Sequence, residues 1–556
     1  MLERLFSFKS GHGYAISFTQ LDFWLFFLLV MMIFSVLQKK TLLKTIFFTA
    51  IGLFFYYKTS GASVVILSFS IILNYLAAKW IHTSSSLLGK KTVMIISVVL
   101  NILILGYFKY AFFFTESFNE MFQTDYKALN YFAQWTSGFT GTGSLVDKII
   151  VPAGVSFFTF QSISYTVDVY RKEIEPVKNF FEYSFFITFF PHILLGPIAR
   201  AKDFIPQITK PYTLTKDDFS WSVIQIVKGL IKKLVIADYI AAHFVDKVID
   251  SPEAYPGFVG VIAMWAYSLQ IYGDFSGYTD IATGVSRLMG FRLFQNFDSP
   301  YKAINVVDFW RRWHRSLGAW LRNYLYIPLG GNKSGGWGTY ITTLVIFTFL
   351  IFITQWYELI FIYIGITAFY ILGVIFYPNI NKYVHRDLNL LITMVVGGLW
   401  HGPSVNFVMW GTMNGLALIL YNYWKKVSPY ENKTGKITRF WKIFITFNFI
   451  TFTRIWFIMQ DDDAPFEFLK HIWNGFGFDI PTFLKVISTY QVVFIIMVIG
   501  FIFHWMPKRI KAIYEDLFAN MPMYLQAVSV AIIVLLIYQA VSDESRGFVY
   551  FVYLTV

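Results

Sequence analysis

Apolar runs close to twenty residues long recur along most of the chain, separated by short polar or charged stretches. A run of about that length crosses a hydrocarbon core of roughly 30 Å as a helix. The pattern predicts helices over about Ile16–Leu37, Val64–Trp80 and Tyr524–Ala540, with others between them. Backbone polar groups left unpaired are not tolerated in lipid, so the predicted fold class is all-α, a polytopic transmembrane helical protein. Two middle segments depart from the pattern. Pro152–Tyr170 and Tyr183–Ala199 are apolar but broken by Pro, Gly and polar residues, which predicts re-entrant or discontinuous helices surrounded by protein or water.

Charge adds an orientation. Lys39, Lys40 and Lys44 follow the first run, Lys90 and Lys91 the third, and two further basic groups lie at Lys425–Arg439 and Lys508–Lys511. Basic loops stay on the cytoplasmic side. The acidic loop with Glu116, Glu120 and Asp125, and the run Asp461–Asp463, then fall on the other side. The alternation predicts extracytoplasmic N- and C-termini. The first run lacks a small-residue cleavage site and is expected to stay as a helix.

Composition narrows the partners. The 556 residues are 56% hydrophobic and only 14% charged, against about a quarter charged in soluble domains. Membrane lipids are therefore the expected surroundings. The net charge of +13 is accounted for by cytoplasmic loops, and no nucleic acid partner is expected. There is no Cys, hence no thiolate nucleophile and no Cys-based metal site. Neither HExxH nor a carboxylate cluster with metal spacing occurs, so no metal is expected. The glycines of Ser137–Ser144 do not join a strand to a helix and are not a phosphate loop.

Two histidines stand out. Asp308–Arg322 reads DFWRRWHRSLGAWLR. As one helix, it places Trp310, Trp313, His314, Leu317 and Leu321 on one face and Arg311, Arg315 and Arg322 on another. Asp308 is then within reach of Arg311 or Arg312. Tryptophans beside arginines suit an interfacial helix, either a snorkelling anchor with His314 packed or part of a site. Leu391–Gly411 reads LITMVVGGLWHGPSVNFVMWG, and His401 is its sole ionisable side chain. Such groups are costly in membranes and usually serve a pathway, a relay or catalysis. A neutral imidazole could take a hydroxyl proton as general base; a histidine bonded to a neighbouring helix is the alternative. Gly397 and Gly398 permit close helix approach, and Pro403 prevents a regular turn around His401. Asp274 and Asp280, in GDFSGYTD, read as structural carboxylates satisfied by Ser276, Tyr278 and Thr279. His192 reads as a packing residue, and His12, His82, His243, His385, His471 and His504 carry no predicted chemistry.

Five ordered blocks resemble one family. They are Val151–Arg171, Phe189–Arg200, Gly273–Phe291, Asp308–Lys333 (DFWRRWHRSLGAWLRNYLYIPLGGNK) and Gly397–Gly415 (GGLWHGPSVNFVMWGTMNG). They are similar to the membrane-bound O-acyltransferase (MBOAT) superfamily, in its branch of bacterial alginate and peptidoglycan O-acetyltransferases. The resemblance implies a ring of tilted helices around a central tunnel in the bacterial inner membrane. It implies that His401 is the catalytic histidine and His314 the second conserved one. Acetyl-CoA, or a related thioester, would enter from the cytoplasm. Trp310, Arg311, Arg312, Trp313, Arg315, Trp400 and Asn406 are expected at the substrate, the arginines suiting the donor's phosphates. The acceptor would be a cell-envelope polysaccharide, reached through a periplasmic serine-hydrolase-like acetyltransferase partner. Near the C-terminus, FVYFVY (Phe548–Tyr553) resembles the aromatic motif of the alginate-acetylating members. It puts Tyr550 forward as an acyl carrier, or else as part of an interfacial aromatic belt. D-alanyl transfer to teichoic acid and a solute or lipid-glycan transporter are the alternatives. Ser334–Arg386 reads as an insertion with an apolar hairpin over Leu344–Thr354 and Leu359–Phe376. The expected organisation is N-terminal helices over 1–150, a core over 151–423 with the inserted hairpin at 334–386, and C-terminal helices over 424–556.

Overall fold

The computed structural model describes residues 7, 9–10, 14–132, 134, 151–333, 335–377, 380–459 and 461–542. Among them the secondary structure is helical, with no strand. The three expected runs form Leu21–Leu37, Val64–Thr83 and Met523–Ser542. Thr41–Thr83, Leu87–Phe122 and Glu358–Phe376 are long and apolar enough to cross a membrane, and Ile480–Thr489 and Gln491–Trp505 form a pair bent by 88°. Leu28, Phe69, Ile102, Phe369 and Leu535 all point outward. In water so much apolar surface would drive aggregation; against acyl chains it costs nothing. The chain is a multi-pass membrane protein. The apolar stretches within 334–386 lie in Trp337–Thr354 and Glu358–Phe376, and the second of these helices buries no residue.

The two middle segments lie inside, but only the second is broken: Pro152 and Gly154 precede the first helix instead of interrupting it. Val155–Tyr170 is a helix buried along nearly all its length. Tyr183–Ala199 splits into the end of Phe180–Thr188, the short Phe190–Ile193 and an irregular stretch, all buried. Polar side chains tie Val155–Tyr170 to two N-terminal helices. Asn74 Oδ1 accepts from Ser97 Oγ at 2.8 Å, Asn101 Nδ2 at 3.1 Å and Thr166 Oγ1 at 3.0 Å. Ser70 and Ser162 hydroxyls meet at 3.3 Å. Buried hydrogen bonds of this kind hold helices together where lipid supplies no hydrophobic drive.

The 32-residue helix Gly257–Leu288 is the buried centre. It meets Lys216–Leu230 and the following π-helical stretch Ile231–Asp238 backbone to backbone. A Cβ on Gly277 would stand 2.8 Å from the Gly229 carbonyl, and one on Gly284 2.7 Å from that of Ser222. Sequence reasoning misassigned the carboxylates here. Asp274 pairs with Lys233 at 2.6 Å and Asp280 with Lys232 at 2.6 Å, not with the neighbouring hydroxyls. A Ser or Thr hydroxyl one turn away hydrogen-bonds its own helix instead, as Thr279 does to the Ser276 carbonyl at 3.1 Å.

Candidate active site

His401 is the last residue of the helix Ile380–His401. Gly402 and Pro403 end it, and the chain turns directly into Val405–Val427, which Ser404 caps by accepting from the Asn406 N–H at 3.1 Å. The two helices lie against each other because glycines remove side chains at the crossing. A Cβ on Gly398 would stand 2.2 Å from the Phe407 carbonyl, and one on Gly411 2.5 Å from that of Met394. His401 is 5% exposed. Its ring is walled by Trp400 at 4.9 Å, Trp410 at 5.2 Å and Phe457 at 5.1 Å between centroids.

The stretch around His314 is not one helix. Val306–Arg312 and Arg315–Leu321 are separate, and between them His314 takes a left-handed backbone with φ +42°. The expected single face carrying Trp310, Trp313, His314, Leu317 and Leu321 is therefore broken at its histidine. A residue other than glycine in this region stores roughly 1–3 kcal/mol of strain, which the surrounding contacts must hold. The kink aims the buried ring at Asn296, whose Oδ1 lies 3.3 Å from His314 Nδ1. That oxygen also accepts from the Ser316 N–H at 3.0 Å and the Ser316 hydroxyl at 2.9 Å. Among the described residues, His314 Nε2 is buried with no hydrogen-bond partner.

Trp400 brings the two histidines into one site. Its ring lies 5.8 Å from that of His314 and 4.9 Å from that of His401. Phe157 and Phe160 hold it from the buried helix Val155–Tyr170 at 5.4 and 5.6 Å, and Phe160 stacks on Trp320 at 3.6 Å. A small cavity opens beside His401, lined also by Trp400, Leu194, Lys109 and Pro152–Phe157. Gly154, at φ +71°, is needed there because a Cβ would meet the Ile193 carbonyl at 2.3 Å. A second cavity, lined by Trp310, Trp313, Asn414 and Arg454, lies beyond Trp410 and Phe457.

The remaining predicted residues divide. Trp310 stands 5.6 Å from Trp410. Trp313 is in the core, stacked on Phe309 and under the Arg454 guanidinium at 4.7 Å. Arg312 is committed to Asp308 at 2.8 Å, while Arg311 is exposed and Arg315 lies over Phe294 at 4.8 Å. Asn406 spends its amide on the Met459 and Asp461 carbonyls, at 3.1 and 2.9 Å. Tyr550 lies outside the described residues. Sequence reasoning missed Lys109, whose Nζ donates to the Trp400 and His401 carbonyls at 2.9 and 2.7 Å. The signal was present: Lys109 is the one charged residue in the apolar run Val93–Phe114.

Residues 155–374 match the model of the MBOAT, membrane-bound O-acyltransferase family. The MBOAT match contains His314 and ends before His401. Among curated proteins, the chain is 34% identical to "Probable alginate O-acetylase AlgI" of Pseudomonas aeruginosa, over 59% of this chain and 51% of that one. It is 28% identical to "Peptidoglycan O-acetyltransferase" of Helicobacter pylori, over 78% of this chain and 74% of that one. A more distant relative, "Teichoic acid D-alanyltransferase" of Bacillus subtilis, is 24% identical over 54% of this chain and 66% of that protein. The match spans about half the length of the first of these relatives.

Proposed function

We propose that this protein is an O-acetyltransferase that carries acetyl from cytoplasmic acetyl-CoA across the bacterial inner membrane, for esterification of an extracytoplasmic polysaccharide. The observation that carries this reading is that His401 and His314 share Trp400 as a neighbour, with a cavity at His401. In the transfer step, His401 takes the proton of the attacking hydroxyl. The new bond forms between that oxygen and the acetyl carbon, the carbon–sulfur bond breaks, and the CoA thiolate leaves and recovers the proton. The aromatic walls keep water from competing for the acetyl group. The two cavities are read as segments of one passage, the donor arriving from one and the acceptor from the other.

The hydroxyl is that of Tyr550 in this reading. A phenol is a weak nucleophile at its ordinary pKa of about 10, so it needs a base beside it. A periplasmic serine-hydrolase-like partner then moves the acetyl group to the polymer. The alginate and peptidoglycan relatives support acetyl as cargo over D-alanine. The lysine partners of Asp274 and Asp280 suit fixed ion pairs better than a transporter's ion relay.

The test is the O-acetyl content of envelope polysaccharide in cells carrying His401→Ala at normal protein level. Loss of acetylation is expected. Full acetylation would reject the assignment of His401 and with it the reading.

A further inference from the structure

The end of the helix that carries His401 is gripped by a segment almost three hundred positions earlier in the chain. A helix leaves its last carbonyls without intrahelical donors. Here those of Leu399, Trp400 and His401 are all taken by two adjacent side chains. Tyr110 donates its hydroxyl to the Leu399 carbonyl. Lys109 Nζ donates to the Trp400 and His401 carbonyls at 2.9 and 2.7 Å. Both donors belong to the π-helical turn Gly106–Tyr110, a local widening that recurs at functional sites. The turn allows two consecutive residues to reach the same helix end. A cation at a helix C-terminus complements the helix dipole. Yet an ammonium kept within a membrane protein is expensive, and a neutral donor could satisfy the same carbonyls. The lysine side chain also lines the cavity beside His401.

We propose that Lys109 is a positioning residue for acyl transfer. By holding the backbone carbonyl of His401 itself, it fixes where the imidazole stands at the cavity. The inference rests on the reading of His401 as the base. A displacement of about 1 Å at a reacting group costs up to about a hundredfold in rate, so one contact on the histidine's own backbone carries weight.

The experiment uses the full-length protein in lipid nanodiscs with acetyl-CoA as probe, following release of the CoA thiol. Wild type is compared with Lys109→Met, Lys109→Gln, Lys109→Arg and His401→Ala. Lys109→Met is expected to lower kcat per folded molecule about tenfold or more while KM for acetyl-CoA changes less than about twofold. Lys109→Arg is expected to restore most of the loss. A purely structural lysine would reduce the amount of folded protein and leave kcat alone. Wild-type kcat in Lys109→Met, or no recovery in Lys109→Arg, overturns the proposal. Should the methionine variant not fold, Lys109→Gln serves: reduced kcat at unchanged KM supports the proposal and wild-type kcat overturns it. An inactive His401→Ala beside a fully active Lys109→Met sinks this inference alone. An active His401→Ala sinks the functional reading beneath it.

Discussion

Asn296 Oδ1 stands 3.3 Å from Nδ1 of His314, and the Ser316 N–H donates to the same oxygen. A backbone N–H can only donate, so the oxygen is an acceptor and His314 Nδ1 must carry the hydrogen. The lone pair of the neutral ring is then on Nε2. Phe275 packs edge-on against the His314 ring at 4.6 Å, and Trp400 lies 5.8 Å from it. Replacing the amide removes what holds this tautomer. Asn296→Leu is expected to lower kcat for acetyl transfer about tenfold or more with the protein still folded. Steady-state kinetics on purified protein, beside its melting curve, would check it.

The crossing of Ile380–His401 with Val405–Val427 depends on Gly398, where a Cβ would stand 2.2 Å from the Phe407 carbonyl. Gly398→Ala is expected to destabilise the protein by about 1–3 kcal/mol through overpacking. Gly365, on the exposed face of Glu358–Phe376, has nothing within 4 Å of such a Cβ. Gly365→Ala is expected to be neutral or to stabilise by up to about 1 kcal/mol. Melting temperatures in detergent separate the two, and equal shifts would contradict the packing argument.

Lys233 pairs with Asp274 at 2.6 Å and with Asp238 at 2.8 Å, and its side chain is 1% exposed. Taking away one partner of a buried pair costs about 3–5 kcal/mol, because the remaining charge is left without its counter-ion. Lys233→Met is therefore expected to accumulate poorly in membranes. Lys233→Met with Asp274→Leu is expected to recover part of the level, which quantitative immunoblotting would show. No recovery in the double variant would mean that Asp238 carries the penalty.

The acyl relay predicts a covalent species. After incubation with labelled acetyl-CoA, wild type is expected to carry acetyl on Tyr550, detected by peptide mass spectrometry. Tyr550→Phe and His401→Ala are expected to lack the adduct. An adduct that persists in Tyr550→Phe would move the carrier elsewhere.

Much of this architecture was readable from local pattern. Apolar runs predicted helices that the structure contains, and the Pro and Gly interruptions in Tyr183–Ala199 foretold its broken helices. The isolation of His401 in an apolar stretch pointed to a residue that lies beside a cavity. Other features had no local signature. Periodicity read Asp308–Arg322 as one helix because a left-handed residue at His314 leaves no mark on a 3.6-residue repeat. What holds it is Asn296, eighteen positions earlier. Lys109 is brought to His401 by contacts 291 and 292 positions apart. The partners of Asp280 and Asp274 are Lys232 and Lys233, more than forty positions away, and helix packing alone sets them together.

The serine and asparagine cluster around Asn74 has a consequence for biogenesis. Asn74, Ser97 and Asn101 emerge from the ribosome long before Thr166 and Ser162, so the first two helices can pair while the third is still being synthesised. Asn74 Oδ1 then offers a ready acceptor to Thr166 when Val155–Tyr170 arrives. In a bilayer, where greasy surfaces do not attract one another, such a waiting acceptor selects the docking register of the newcomer. The helix that later presents Phe157 and Phe160 to Trp400 is thus aligned from its far side, by a contact completed before either histidine has been translated.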